Sequence, residues 1–310
     1  MQAPVPIAGS SSRPPPSTRP GMSRKARERR NHALLHIGLI IYFTVSLMPF
    51  VWTFLTSLKQ SRDVAAAPLK IFFQPTLDNY RAVLFNQYSD DSALARVRVD
   101  IPGSFMNSLI IAGGATLLAM LLGNIAAFAL ARYKMPEREV YAFFFLAFRF
   151  APVFVFIIPM FLIYQEIGLY NTHLGMILIS QVIAIPLIVW VMRSFYESIP
   201  PELFDSAALD GATRMQMLRQ IALPLAAPGL AATAVLAFIA CWNNFVFPFL
   251  LGAKQTQTIT LATITFIGYE EVAWGMMTAA AIVTIVPELI LAMLVQKHIV
   301  RGLTYGAVKE

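Results

Sequence analysis

Charge is scarce in this chain. Asp, Glu, Lys and Arg make up only 13% of its 310 residues, while 57% are hydrophobic and the mean hydropathy is +0.63. A soluble domain with a charged surface does not reach such values, so the sequence reads as an integral membrane protein. Patterns that carry chemistry are scarcer still. The one cysteine, Cys241, lies inside an apolar run, which excludes an intramolecular disulfide and a thiol pair for redox or zinc chemistry. No G-x-x-x-x-G-K-[ST] occurs, so there is no loop to cradle nucleotide phosphates and ATP hydrolysis by this chain alone is excluded. H-E-x-x-H, C-x-x-C and G-x-S-x-G are absent as well, and His32, His36, His173 and His298 have no metal-binding spacing. No catalytic residue, metal ligand or bound cofactor is therefore expected, and a membrane enzyme is a weak reading.

What is present are apolar runs. Six approach the roughly 20 residues needed to cross a hydrocarbon core about 30 Å thick, near 34–57, 105–131, 140–165, 173–195, 226–251 and 274–296. Their interiors do not alternate at period two, which disfavours a transmembrane barrel. Backbone groups in lipid must pair within their own segment, so the expectation is an all-α, polytopic membrane protein with six transmembrane helices. The net charge of +7 is informative through its placement and gives no reason to expect a nucleic-acid partner. With the N-terminus inside, sixteen of the 24 basic residues fall on the cytoplasmic side and seven on the other, with Arg149 within a span. Both termini and the insert at 196–225 are thus expected to face the cytoplasm. Residues 1–33, Pro/Ser-rich and then Arg-rich, read as a disordered basic tail at the inner membrane surface.

Several spans hold groups that a simple anchor does not need. Arg149 and Glu288 are charged, Gln181, Asn243 and Asn244 are polar, and Trp242 adjoins the asparagines. A charge at the bilayer centre costs at least about 2.5 kcal/mol, so the default reading of such a group is a pathway lining; the bland reading is a hydrogen bond to a freed carbonyl. Asparagines, Asn107 near the start of the second span among them, suit hydroxyl-rich solutes or interhelical bonds, and Trp242 suits a sugar face or a membrane interface. Arg149, Gln181, Trp242, Asn243, Asn244 and Glu288 are the candidate substrate pathway. Gly113, Gly114 and Gly123 permit close helix approach. Pro75–Phe85 reads as a short helix capped by Thr76 or Asp78, with Tyr80, Val83 and Leu84 on one face.

The polar insert ELFDSAALDGATRMQMLRQIALP, Glu202 to Pro224, is the most specific stretch. Pro200 and Pro201 stop one helix and start another, Glu202 and Asp205 complement the positive end of its dipole, and Gly211 supplies a left-handed turn. Thr213 is placed to cap a second short helix with Met215, Leu218 and Ile221 on one face, and Pro224 ends it. Taken alone, this is either an amphipathic hairpin on the membrane or a docking element.

DSAALDGATRMQMLRQIALPL closely resembles the EAA loop of the permease subunits of ABC importers, with Asp205, Ser206 and Ala207 at the E-A-A positions and Asp210, Gly211, Ala212, Ile221, Leu223 and Pro224 matching directly. TLDNYRAVL, FMNSLIIA, WNNFVFPFLL and QKHIVRGLTYGAVK resemble the carbohydrate, maltose-type branch, so the likeness covers about 34–310. It implies a cytoplasmic coupling helix through which Asp205, Ser206, Ala207, Asp210, Gly211, Ala212 and Met217 meet an ATPase. It also implies two ATPase subunits that use ATP and Mg, a second related permease, an extracytoplasmic solute-binding protein and a sugar-like solute moved by alternating access across the cell inner membrane. The sequence departs from the pattern in Asp205 and Ser206, which stand where Glu and Ala are usual. The competing reading is a self-sufficient carrier or channel for a polar solute, with Arg149 and Glu288 as an ion-linked pair.

Overall fold

The computed structural model describes residues 24–64, 70, 72–87, 99–150, 153–268 and 272–307. The tail to residue 23, Pro152 and the side chain of Arg149 lie outside the described part. The chain divides into two compact units, 1–52 and 53–310.

The helices are α1 Arg24–Ser57, α2 Asp78–Phe85, α3 Ile101–Arg132, α4 Arg138–Phe150, α5 Val153–Glu166, α6 His173–Ile179, α7 Gln181–Glu197, α8 Pro201–Leu209, α9 Arg214–Leu225, α10 Ala227–Trp242, α11 Val246–Leu251, α12 Ile259–Ile264 and α13 Trp274–Ala307. In α1 the side chains from Leu34 to Val51 are exposed and almost all apolar, as a helix in contact with hydrocarbon requires.

The second unit is built on α3. Asp100 caps its start by accepting from the Gly103 N–H at 3.1 Å, Pro102 sits harmlessly in the first turn, and no later proline interrupts its 32 residues. One face carries Ala112, Ala115, Ala119 and Ala127, all 1% exposed or less, recurring near the helical period. α7 lies against this stripe with Ala184, Ile188 and Met192, and α10 completes the core while packing in turn on α13. Gly123 sets the α3–α7 distance: a Cβ there would lie 2.8 Å from Ile188 Cγ2 and 3.7 Å from the Ile185 carbonyl. At one end, Arg193 on α7 bonds Glu139 and Glu197, and Arg138 bonds the same two carboxylates, joining α4 to α7.

Three expected spans are long unbroken helices, namely α1, α3 and α13. The fourth is bent by 41° at Ser180, less than two turns before Pro186. The third is carried by α4 and α5, on either side of 151–152. The fifth is not the continuous helix expected over 226–251. α10 stops at Trp242 after 16 residues, about 24 Å at 1.5 Å per residue, and α11 begins only at Val246. Asn244 and Pro248 explain the break: the Asn244 side chain accepts from the Phe247 N–H at 3.0 Å and starts a new helix, in whose first turn a proline is tolerated.

α2 also differs from its expectation. Its buried face is Asn79, Ala82 and Val83, whereas Leu84 is 40% exposed. Asn79 decides the register, because its Nδ2 donates at 2.8 Å to the carbonyls of both Ser57 and Lys59. In the same loop the Lys70 ammonium, 2.8 Å from Asp63, holds that carboxyl below its usual range.

Replacing Gly123 with Leu is expected to overpack the α3–α7 seam at a cost of about 1–3 kcal/mol and to lower the thermal inactivation midpoint in detergent. Gly113→Ala, where an added Cβ meets nothing within 4 Å, should leave that midpoint in place.

Candidate functional site

The two turns of the hairpin from Pro200 to Pro224 are closed by local hydrogen bonds. Pro200 is extended at φ −55, ψ 131, and Pro201 opens α8 where a missing N–H costs nothing. The helix ends with the Gly211 N–H bonded to the Ala208 carbonyl at 3.1 Å and the Ala212 N–H to the Ala207 carbonyl at 2.9 Å. This paired 5→2 and 6→1 closure needs a left-handed residue, and Gly211 has φ +80. Thr213 then starts α9 with a reciprocal pair: its hydroxyl accepts from the Gln216 N–H at 3.4 Å, and Gln216 Oε1 accepts from the Thr213 N–H at 2.7 Å. Both turns are thus fixed by local sequence.

Asp205, Ser206, Asp210 and Gly211 are exposed, with Ala207, Ala212 and Met217 half-buried. The seven residues therefore share one structural unit. Its inward side is Phe204, Leu218 and Ala222, each under 9% exposed. The expected face of Met215, Leu218 and Ile221 is corrected: Met215 is 44% exposed and Ala222 is fully buried. Ala222 takes the place expected for Ile221 because of a π turn over Met217–Ala222, in which the Leu223 N–H reaches the Leu218 carbonyl five residues back. Pro224 has no N–H to offer and its ring crowds the carbonyl four residues before it; widening the turn accommodates both. The hairpin meets α3 at Tyr133, whose ring receives the Arg214 guanidinium at 4.5 Å. Burial pushes the Tyr133 phenol above its ordinary value, against the pull of Arg214, so the ring there is neutral.

The polar groups of the spans fall into separate places. Glu288 and Asn243 lie near one another. Asn244 caps α11, as described above. Trp242 is 1% exposed, donates from Nε1 to the Thr284 carbonyl at 3.2 Å and stacks on Phe238 at 5.4 Å, leaving no free ring face in this conformation. Gln181 donates to the carbonyls of Ala115 at 3.2 Å and Ile177 at 2.8 Å, while its Oε1 is buried without a partner. Trp242 and Asn244 line a cavity with Ser108, Ser180 and Thr258, but its volume of about 10 Å³ holds roughly one water molecule.

A larger cavity of about 580 Å³ lies at the start of α3, lined by Asp100, Ser104, Asn107, Lys254, Gln255 and Gln257 among others. Asn107 organises it, donating to the Gln257 carbonyl at 3.1 Å and meeting His173 Nε2 at 2.8 Å. Asn171, with φ +55, accepts through Oδ1 from Ala253 N and Thr256 Oγ1 at 3.0 and 3.1 Å, fixing the loop beside it. Asn107 stands out in the sequence as a polar group of a span, but its partners and the role of Asn171 were not legible, because the groups they bond lie about 65 to 150 residues away in sequence. No cluster of three His, Cys, Asp or Glu that could hold a metal is found among the described residues.

The chain matches the family described as binding-protein-dependent transport system inner membrane component over residues 119–305, a stretch that includes the hairpin. The chain belongs to this family. Similar proteins include the diacetylchitobiose uptake system permease NgcG of Streptomyces coelicolor, 30% identical over 90% of this chain and 89% of that one. The trehalose/maltose transport permease MalG of Thermococcus litoralis is 33% identical over 89% and 96%. A crystal structure of a bacterial ABC transporter involved in import of the acidic polysaccharide alginate shares the fold, with TM-score 0.66 at 22% identity over 90% of this chain and 99% of that one. This family member is an all-α, multi-pass inner-membrane permease subunit of an ABC importer.

Thr213→Ala is expected to remove one half of the reciprocal cap and destabilise the start of α9 by about 1 kcal/mol. Hydrogen exchange checks this: the amides of Met215 to Met217 should exchange faster, while those of α3 stay protected.

Proposed function

We propose that the chain is the solute-translocating subunit of an ATP-driven importer for a sugar, polyol or sugar derivative, working by alternating access. The observation that carries this reading is the hairpin: Asp205, Ser206, Asp210 and Gly211 are presented on a turn closed by paired backbone hydrogen bonds, in a chain whose relatives are permeases for diacetylchitobiose and for trehalose and maltose. In this reading the termini and hairpin are cytoplasmic, residues 1–33 form a basic inner tail, and 34–310 form the six-span permease domain.

Asp205, Ser206, Ala207, Asp210, Gly211, Ala212 and Met217 then seat against the ATPase subunits, which bind the ATP and Mg. A second permease of the same family and an extracytoplasmic solute-binding protein complete the complex. A partner shifts a conformational equilibrium only by binding its two states unequally, so the ATPase must hold the hairpin differently before and after hydrolysis. The one-water cavity beside Trp242 and Asn244 is too small for a sugar, which fits a path that is shut in this state and opens in another. Asn243 and Glu288, which lie near one another, are the pathway pair best placed to meet hydroxyl groups, with Gln181, Arg149, Asn244 and Trp242 further candidates.

Uptake of labelled trehalose, maltose and diacetylchitobiose by the assembled complex in vesicles tests the assignment. Gly211→Val forces a β-branched residue into a left-handed conformation at a cost of about 1–2 kcal/mol and should abolish uptake with membrane insertion intact. Asp205→Lys should lower stimulated ATP hydrolysis; an unchanged rate removes the ionic contact from the proposal. Uptake driven by an ion or solute gradient in vesicles holding this chain alone would replace the importer reading with a self-sufficient carrier.

A further inference from the structure

Two adjacent residues at the end of α3 grip the two limbs of the hairpin separately. The Arg132 guanidinium lies 4.4 Å from the centre of the Phe204 ring on α8 and donates through Nη2 to the Tyr196 and Ile199 carbonyls at the end of α7. Tyr133 lies under Arg214 of α9. Between them stands Phe128 of α3, whose ring meets Phe204, Tyr133 and Tyr196 at 5.9, 5.8 and 5.7 Å. Tyr196 in turn donates to Asn124 Oδ1 at 2.8 Å, one turn back along α3. Apart from Phe204, Leu218 and Ala222, the hairpin offers little buried surface through which a displacement can be passed on.

The helix they grip is suited to carry such a displacement. α1, α5, α7 and α13 each contain an internal proline, and α10 is followed by a break, but α3 runs straight through from its first turn. At its far end Asn107 holds the Gln257 carbonyl, and Ser108 Oγ accepts from the Ile259 N–H at 2.8 Å. From Asn107 to Arg132 is about 38 Å at 1.5 Å per residue. A guanidinium that touches one ring face and two carbonyls of another helix cannot follow Phe204 without changing its hold on α7, so a movement of α8 is felt at α3 and α7 together. The Arg132 Nε–H is buried with no partner in this state, which leaves a donor for a different arrangement of the same groups.

We propose that Arg132 and Tyr133 are positioning residues that pass the movement of the hairpin into α3, and that α3 delivers it as a rod to the 254–259 segment. This rests on the importer reading above. It adds to the hairpin motif two residues outside it and names the segment that receives the stroke.

The test uses the chain assembled with its second permease and ATPase subunits, with Cys241→Ala removing this chain's sole thiol and Lys254→Cys supplying one in the exposed loop. The readout is the rate of labelling at position 254 by a membrane-impermeant maleimide, with and without ATP and vanadate, per mole of assembled complex. In the otherwise unmodified complex, nucleotide should change that rate. In Arg132→Gln and Phe204→Leu the nucleotide-dependent change should shrink about tenfold, a loss of coupling of about 1.4 kcal/mol, while ATP is still hydrolysed. Phe204→Tyr, which keeps the ring, should retain it, and the double variant should lose no more than either single one. A response at 254 that persists in both single variants, or that falls only as the amount of complex falls, overturns the proposal. So does an unmodified complex that hydrolyses ATP with no response at 254. Failure of any ATPase subunit to co-purify with the unmodified chain would instead overturn the importer reading beneath it.

Discussion

An unpaired peptide group in hydrocarbon costs several kcal/mol, and this chain is organised by how it meets that constraint wherever a helix is interrupted. At Ser180, where α6 gives way to α7, the hydroxyl donates to the Met176 carbonyl at 2.7 Å. At the α10–α11 break the Trp242 carbonyl, left without a helical partner, accepts from Thr260 Oγ1 at 3.1 Å, and the Asn244 side chain supplies the first acceptor of the next helix. Ala226, between Pro224 and Pro228, turns the chain by 84° and still places its own N–H on the Ala222 carbonyl at 2.9 Å. Small polar side chains thus meet the α10–α11 gap and reinforce the bend at Ser180, while the turn at Ala226 is held by the backbone itself.

That constraint also gives several intramembrane polar residues a plain structural task. Asn244 and Gln181 both spend hydrogen bonds on backbone groups, and Trp242 donates to one. The Asn243 amide likewise donates to the Ile239 carbonyl at 3.2 Å. A polar side chain in a span can thus hold the scaffold in one state and be free for a solute in another, since both tasks draw on the same few donors and acceptors.

What could be read from the sequence follows from how local each cause is. The hairpin was legible because proline, glycine and a Thr-x-x-Gln cap act within four residues, and Gly211 and Thr213 stand where those rules place them. The apolar runs announced an α-helical membrane protein for the same reason. The break at Asn243–Phe245 was hidden because the run around it stays apolar enough to read as one span. The π turn was hidden because its cause, Pro224, lies after the residues it displaces. α12 gave no signal, its six residues ITLATI being short and rich in β-branched side chains. Asn79, Asn107 and Asn171 owe their roles to partners brought close only by the fold.

The alanine stripe of α3 has a mechanical meaning. Ala112, Ala115, Ala119 and Ala127 end at Cβ, so this face has no rotamers to rearrange when a neighbour moves along it. Interlocked Leu or Phe side chains would have to leave one set of wells and find another before α7 could slip past. Along the stripe the interlocking side chains come from α7, through Ile188 and Met192, and α3 adds its own hold only further along, where Asn124 and Phe128 engage Tyr196. The interface behaves as a bearing: tight across the gap, where Gly123 admits no extra atom, and smooth along it.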